Sequence, residues 1–114
     1  MIGSGRLYHK VAFDAPTETT NGYGGVVKGW EEATQARAEI QFLRGGEIVQ
    51  AARLQGRQPV VVRVRYNNTT AMIETSWRMR DLRTSIVYNI RSILRTDDRQ
   101  WLEITAESEG KADF

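Results

Sequence analysis

Residues 35–43, Gln-Ala-Arg-Ala-Glu-Ile-Gln-Phe-Leu, alternate between polar and apolar side chains. Ala36, Ala38, Ile40 and Phe42 fall on one face of an extended chain and the polar residues on the other, because successive side chains of a β-strand point in opposite directions. The segment therefore predicts a half-buried strand. Its period of two is the pattern to look for in the rest of the sequence.

Five other segments are also predicted as strands. They are Leu7–Phe13, Val60–Tyr66, Trp77–Leu82, Ile86–Leu94 and Trp101–Ser108. The alternation places Val62, Val64 and Tyr66 opposite Val61, Arg63 and Arg65, and it places Ile86, Tyr88, Ile90, Ser92 and Leu94 on one face. The polar run 96–99 lies between the last two segments and predicts a hairpin turn.

Residues Glu47–Gln55 interrupt this pattern, lie between Gly45-Gly46 and Gly56, and are predicted as a short helix. A helix of this length is marginal alone, so it should dock on the sheet or on a neighbouring subunit. Asp14–Gly29 and Asn67–Ser76 are polar and rich in turn residues, and are predicted as loops.

The predicted fold is mainly β. It is a small antiparallel barrel or sandwich of about six strands, with one short helical insertion between strands 2 and 3 and with long loops. The 114 residues fit one domain, assigned to 1–114. Trp30, Trp77 and Trp101 are spaced like anchors of its core.

The residues that enzymes and metal sites need are scarce. The chain has no cysteine and a single histidine, His9. Asp97-Asp98 is typical of a turn, and the glycines at 22, 24 and 25 are not followed by the Gly-Lys-Ser/Thr of a phosphate loop. We therefore expect no catalytic residue, no metal and no cofactor. The chain also lacks an apolar run of about 20 residues, so a soluble protein without a membrane partner is expected.

Charge is distributed unevenly along the sequence. The net charge of +2 comprises −1 in residues 1–52, +6 in 53–99 and −3 in 100–114, and 13 of the 16 cationic residues are arginine. Arginine pairs well with phosphate and carboxylate, which fits nucleic acid or a charged protein interface. A solvated basic face is the alternative. Because no recognition helix or base-stacking platform is evident, any DNA contact should be to the backbone and independent of sequence.

Several short motifs occur in an order that resembles the phage head–tail joining family, also called head-closure or stopper proteins, over nearly the whole chain. They are Gly5-Arg6-Leu7, Trp30 before an alternating strand, Glu47 opening the insertion, Arg65-Tyr66, Arg78-Met79-Arg80, Tyr88-Asn89-Ile90 and Trp101-Leu102-Glu103-Ile104. The sequence departs from the family at residues 81–85, where members often have a glycine turn, so the geometry of that turn is open.

The resemblance implies a structural protein of a phage or prophage virion. It implies a homo-oligomeric ring at the head–tail connector, beneath the portal and adaptor, that helps retain packaged DNA and offers a surface to a tail or tail-terminator protein. Assembly would begin in the host cytoplasm. A small-barrel nucleic-acid-binding module is the alternative function, and the ring size, six or twelve subunits, stays open.

The resemblance also suggests which residues act. In such rings the plugging element lies on the connection between the second and third strands, here Arg44–Pro59, so Arg44, Arg53 and Arg57 are expected to face the channel and its DNA. The competing account is that the helix merely covers one open end of the barrel. The basic middle and the acidic C-terminal segment are complementary. The residues expected at partner or subunit interfaces are Arg63, Arg65, Glu103 and Glu107.

Overall fold

The computed structural model describes residues 9–108. Within them the chain forms six β-strands, one α-helix and one turn of 3-10 helix. The strands are β1 (His9–Thr20), β2 (Val26–Phe42), β3 (Pro59–Arg65), β4 (Arg78–Asp81), β5 (Val87–Arg95) and β6 (Trp101–Ser108); the helix is α1 (Glu47–Leu54), and the 3-10 turn is Thr70–Met72.

The strands form one antiparallel sheet that closes on itself as a barrel in the order β1-β2-β3-β6-β5-β4. Closure pairs strands that are distant in sequence, β3 with β6 and β1 with β4. The predictions of a mainly β fold, of six strands and of a short helix between strands 2 and 3 are confirmed. Leu7, at the start of the first predicted strand, lies outside the described residues.

The barrel interior is filled by apolar side chains at alternate strand positions. In β3, Val60, Val62 and Val64 are fully buried, whereas Arg65 is exposed, as the alternation predicts. The segment after β3 adds to the core, because Ile73 is buried in it and Trp77 packs against it. The other members of the core cluster are Val11, Phe13, Ala38, Ile40, Met79, Tyr88, Ile90, Leu102, Ile104 and Ala106.

The prediction of a loop at Asp14–Gly29 is wrong. β1 and β2 continue as a paired hairpin beyond the barrel, with Thr17 opposite Gly29 and Thr20 opposite Val26. The β-branched residues of this stretch favour the extended chain, and a proline is tolerated at the unpaired edge of a strand. The turn itself is 21–25. We call residues 15–31 the arm.

The prediction that Leu94 shares a face with Tyr88 and Ile90 is also wrong. The register between β5 and β6 shifts between Ile90 and Ser92, so the strand holds a β-bulge and its faces exchange beyond that point. Ile93 therefore packs against the core, whereas Leu94 is 63% exposed.

The prediction that all three tryptophans anchor the core is wrong for one of them. Trp101 is buried and Trp77 contacts the core, but Trp30 is 43% exposed.

The β4–β5 turn, whose geometry the sequence leaves open, forms without a glycine. Its Ser85 has a φ of 66°, the left-handed conformation in which glycine is common. The Asp81 carboxylate supports that turn by accepting a hydrogen bond from the Arg83 N–H at 2.9 Å.

Candidate functional site

Hydrogen bonds hold together the two ends of the connection between β2 and β3. The Leu43 N–H donates to the Pro59 carbonyl at 3.1 Å, and the Gln58 side-chain amide donates to the carbonyls of Leu43 and Pro59 at 2.8 and 2.7 Å. The Gln58 N–H also donates to the Ser108 hydroxyl at 2.8 Å. The two ends of the insertion are therefore held together and against β6.

Beyond this base the insertion forms α1, which begins after Gly46 and ends at Leu54. Gly46 has a φ of 89°, which favours glycine, and its carbonyl accepts the first helical hydrogen bond from Gln50. Glu47 in the first turn and Arg53 in the last turn both complement the helix dipole. These local features favour the helix, which buries none of its own residues.

No residue of α1 is buried. Val49 and Ala52 are half-covered, but Ile48 is 85% exposed and Leu54 is 87% exposed. The helix carries Ile48, Ala51 and Leu54 at a spacing of three residues, so these side chains lie along one side of it. The helix therefore presents apolar side chains to solvent, and it contributes nothing to the core cluster of the barrel.

The three arginines of the insertion do not meet in one cluster. Arg57 forms an ion pair with Glu107 on β6 at 3.7 Å. Arg44 and Arg53 are exposed, and neither has an ion-pair partner among residues 9–108. The insertion thus carries two uncompensated cations at its surface and a third that is tied to the barrel.

The four residues expected at partner interfaces already interact within the chain. Arg63 pairs with Glu103, which lies directly opposite on β6. Glu107 is shared by Arg57 and Arg91, and the Arg65 guanidinium lies 4.8 Å from the centre of the Trp101 ring. Basic middle and acidic C-terminal segments are therefore complementary inside one subunit. Their role between subunits stays a prediction.

A row of three cations runs across β1, β2 and β3 on the outer face of the barrel, and sequence analysis did not identify it. Lys10 lies opposite Arg37 in the β1–β2 register, and continuing the β2–β3 register beyond Ala38 and Val64 places Arg37 opposite Arg65. All three cations are exposed. The neighbouring row alternates in sign, with Arg63 between Glu39 and Glu103. Like charges directly opposite each other destabilise a sheet, so the cationic row is unfavourable in the isolated subunit.

The row borders an open depression of about 240 Å³. Its lining residues are Gln35, Ala36, Arg37, Arg65 and Asn67. Neither arginine has an ion-pair partner within residues 9–108. The depression is therefore chemically suited to an anionic group. Only the three-dimensional register brings these residues together, since no local motif joins Lys10 to Arg65.

A second charged cluster, at the root of the arm, was likewise missed. Asp14 is 2% exposed and accepts hydrogen bonds from Arg80 and Arg78. The hydrogen bond from Arg80, with help from Arg78 and against the effect of burial, holds the pKa of Asp14 below its ordinary value. Arg80 also pairs with Glu32 at 2.8 Å, and Arg78 lies 4.6 Å from the centre of the Trp30 ring. The cluster fixes the arm to β4.

The Asp97-Asp98 pair is a turn, as predicted. The Asp98 carboxylate accepts from the Thr96 hydroxyl at 2.6 Å and from the Gln100 N–H at 3.0 Å. These bonds, and above all the bond from Thr96, lower the pKa of Asp98.

Between residues 9 and 108 no three acidic, histidine or cysteine side chains are grouped as metal ligands would be. In the same range no helix is long and apolar enough to span a bilayer.

Solved structures with this fold include the following two. Protein SF1141 from Shigella flexneri 2a, determined in solution, aligns with a TM-score of 0.69 and 20% identity over 94% of this chain and 96% of its own. A chain of the virion of a native gene transfer agent particle aligns with a TM-score of 0.62 and 17% identity, over 90% of this chain and 94% of its own. At these identities the likeness establishes the fold.

Sequence comparison establishes the family. No curated protein sequence matches the chain. The family model described as phage head completion protein matches residues 2–109, nearly the whole sequence. The role of that family is structural, which agrees with the expectation that the chain is not an enzyme. This chain belongs to the phage head completion protein family.

Proposed function

We propose that this chain completes the phage head by assembling as a homo-oligomeric ring at the head–tail connector. In this proposal the ring docks beneath the portal and adaptor, closes the DNA channel, and presents a surface to a tail or tail-terminator protein. The subunit is made in the host cytoplasm and ends in the virion. Membership of the head completion family supports a structural role in the head, and the gene transfer agent neighbour gives the same fold a place in a virion.

The observation that carries the proposal is the exposed helix on a fixed base. α1 buries no residue, whereas Gln58 holds both ends of the insertion to the barrel. An element that merely covered one end of the barrel would bury apolar side chains against the core. The exposed Ile48 and Leu54 argue against that account and favour contact with something outside the subunit.

The charge of the insertion suits the DNA in a channel. Arg44 and Arg53 are exposed and unpaired among the described residues, so they are free to approach phosphates. Such contacts follow the backbone and do not depend on base sequence. In the proposed ring, the helices of successive subunits together bring their arginines towards the axis.

The outer charged side chains are proposed to guide the subunit to its neighbours. Because Arg63 pairs with Glu103, and Glu107 with Arg57, these groups are already neutralised in the isolated chain. At an interface they would set orientation and rate of assembly more than affinity. Arg65 has no ion-pair partner among residues 9–108 and is the most available of the four to bind an anionic partner.

The test uses heads that lack this protein, completed with purified wild-type protein or with a variant in which residues 47–55 are deleted and Gly46 is joined to Gly56. Nuclease protection measures DNA retention, and electron microscopy measures occupancy of the connector. We expect the variant to occupy the connector while DNA is lost. Failure of the variant to dock would instead make the insertion a docking element.

A matched pair of substitutions separates charge from shape. Arg44→Gln with Arg53→Gln removes the free cations of the insertion, and Arg91→Gln with Arg95→Gln removes two cations from β5. We expect only the first pair to reduce DNA retention. Equal retention in both variants would show that the insertion does not act through its charge.

A second candidate function, binding of nucleic acid by the barrel surface, is favoured by the row of Lys10, Arg37 and Arg65. Backbone binding of this kind weakens steeply with salt. Arg37→Gln with Arg65→Gln should abolish the affinity of the purified chain for duplex DNA at low ionic strength, whereas Arg63→Gln should not. Absence of binding by the wild-type chain at low salt would remove this candidate.

A further inference from the structure

The arm has strand edges without partners. The β1–β4 ladder ends at Asp14 opposite Arg78, and the β2–β3 ladder begins at Ala38 opposite Val64. Between these points and the tip, each strand of the hairpin is paired on one side only within residues 9–108. Such edges are templates for pairing with another chain.

The register shows which backbone groups face outward. The Asn21 N–H donates to the Gly25 carbonyl at 3.2 Å, so this pair is hydrogen-bonded. Hydrogen-bonded and non-bonded pairs alternate along an antiparallel ladder. The pairs Thr20 with Val26, Glu18 with Lys28 and Pro16 with Trp30 are therefore non-bonded, and their backbone groups point away from the hairpin. The position of Pro16 agrees, because proline within a sheet turns its missing donor to an open edge.

The two edges of the arm differ in hydrogen-bonding capacity. The β2 edge offers an N–H and a carbonyl at each of Val26, Lys28 and Trp30. The β1 edge offers both groups at Glu18 and Thr20, but Pro16 supplies a carbonyl alone. All six of these residues are exposed.

From this we infer that the β2 edge of one arm pairs, antiparallel, with the β1 edge of the arm of a second copy. The inference rests on the self-assembly in the proposed function and names the surface that carries it. Within each arm, Glu18 lies opposite Lys28. In the inferred contact, Lys28 of one copy likewise lies opposite Glu18 of the second copy. Opposite charges at paired positions stabilise a sheet.

The remaining pairs of this register are also compatible. Thr20 meets Val26 and exchanges both hydrogen bonds, whereas Pro16 meets Trp30 and accepts one. Pairing two β2 edges about a twofold axis at Lys28 would set that lysine against its own copy, which like charge disfavours. Because the two joined edges are different, the contact is heterologous and repeats from copy to copy until a ring closes.

Residue-resolved amide hydrogen exchange tests this pairing in the full-length chain. In dissociated protein the amides of Val27, Gly29 and Glu31 should be protected, whereas those of Val26, Lys28 and Trp30 should exchange rapidly. In assembled protein the latter three should slow by at least about tenfold. Assembly that leaves all three as fast as in the dissociated chain overturns the inference while leaving the proposed ring intact.

A proline variant supplies the second measurement. Lys28→Pro removes one outward N–H and leaves the bonds of the hairpin, which protection of the Val27 and Gly29 amides verifies. We expect this variant to lose self-association in sedimentation, whereas Lys28→Ala, which keeps the N–H, should retain most of it. If Lys28→Pro disrupts the hairpin, the exchange pattern of the wild-type chain decides. Wild-type copies that fill the connector without contacting one another overturn both the inference and the ring.

Discussion

The carboxylate of Asp14 accepts hydrogen bonds from Arg80 at both of its oxygens, from Nε at 2.8 Å and from Nη2 at 3.1 Å. Arg78 adds a third bond at 2.9 Å. The acid lies where the β1–β2 register shifts between Phe13 and Asp14, at the point where the arm leaves the barrel. The direction of the arm is therefore set by the ion pairs of a buried carboxylate as well as by strand pairing.

Asp14→Asn should destabilise the fold by about 2 kcal/mol, since hydrogen bonds to charged groups contribute about 1.5–3 kcal/mol each and the exposed parts of both arginines regain water. Urea unfolding followed by circular dichroism measures the change. Asp97→Asn, in an exposed turn, is the control and should change stability by less than about 0.5 kcal/mol. Equal effects of the two substitutions would contradict a special role for Asp14.

The same acid gives a pH dependence of known sign. The pKa of Asp14 is lower in the folded chain than its ordinary value of 3.8, so its contribution is complete above that value and is lost as the pH falls through the folded pKa. The stability difference between wild type and Asp14→Asn should therefore shrink as the pH falls from about 5 to about 2. Urea unfolding across this range checks it, and a difference that grows on acidification would show the opposite sign.

Arg37→Gln should make the isolated chain more stable, by roughly 0.2–1 kcal/mol, because it removes a charge that lies between Lys10 and Arg65. Arg63→Gln, on the same outer face but flanked by Glu39 and Glu103, is the matched control and should be neutral or destabilising. Thermal and urea unfolding at low ionic strength compare the two. Destabilisation by Arg37→Gln would mean that an acidic group already compensates this row.

The bulge in β5 predicts opposite results for two neighbours. Ile93→Ala should cost about 2 kcal/mol, because the side chain packs against the core, whereas Leu94→Ala should change stability by less than about 0.5 kcal/mol. The unbroken alternation of the sequence predicts the reverse order. Chemical unfolding of the two variants therefore distinguishes a bulged strand from a regular one.

These cases show how far the sequence determines the fold. Period-two patterns located all six strands, and β6 was predicted with its observed bounds, because burial on one face leaves a direct trace in residue order. The bulge at residues 90–92 leaves no such trace, since one extra residue exchanges the faces without changing composition. The arm was missed for a different reason. Most of its residues are exposed, so no apolar face marks Thr17–Thr20 as a strand.

The candidate site, like the fold, is predicted from the sequence only in part. The glycines around α1 predict the insertion, and the family resemblance points to its three arginines, which lie within one short stretch of sequence. The Asp14 cluster and the cationic row join residues of different strands, and only the closed register brings Asp14 to Arg80 or Lys10 to Arg65. Sequence analysis assigned Arg63 and Glu103 to opposite sides of an interface, because it could identify complementary charges but not their pairing within one barrel.

The exposed apolar residues of α1 give the last prediction. Ile48→Ser with Leu54→Ser should leave the stability of the isolated chain within about 0.5 kcal/mol, because neither side chain is buried. In completed heads, where the proposal places both residues against another molecule, the variant should lose DNA retention. Met72→Ser, which also replaces a largely exposed apolar side chain but near the other end of β3, is the control and should retain DNA. Unfolding curves and nuclease protection measure the two effects. A variant that is fully stable and fully retentive would mean that the apolar side of α1 makes no necessary contact in the completed head, and the role proposed for Ile48 and Leu54 would then be wrong.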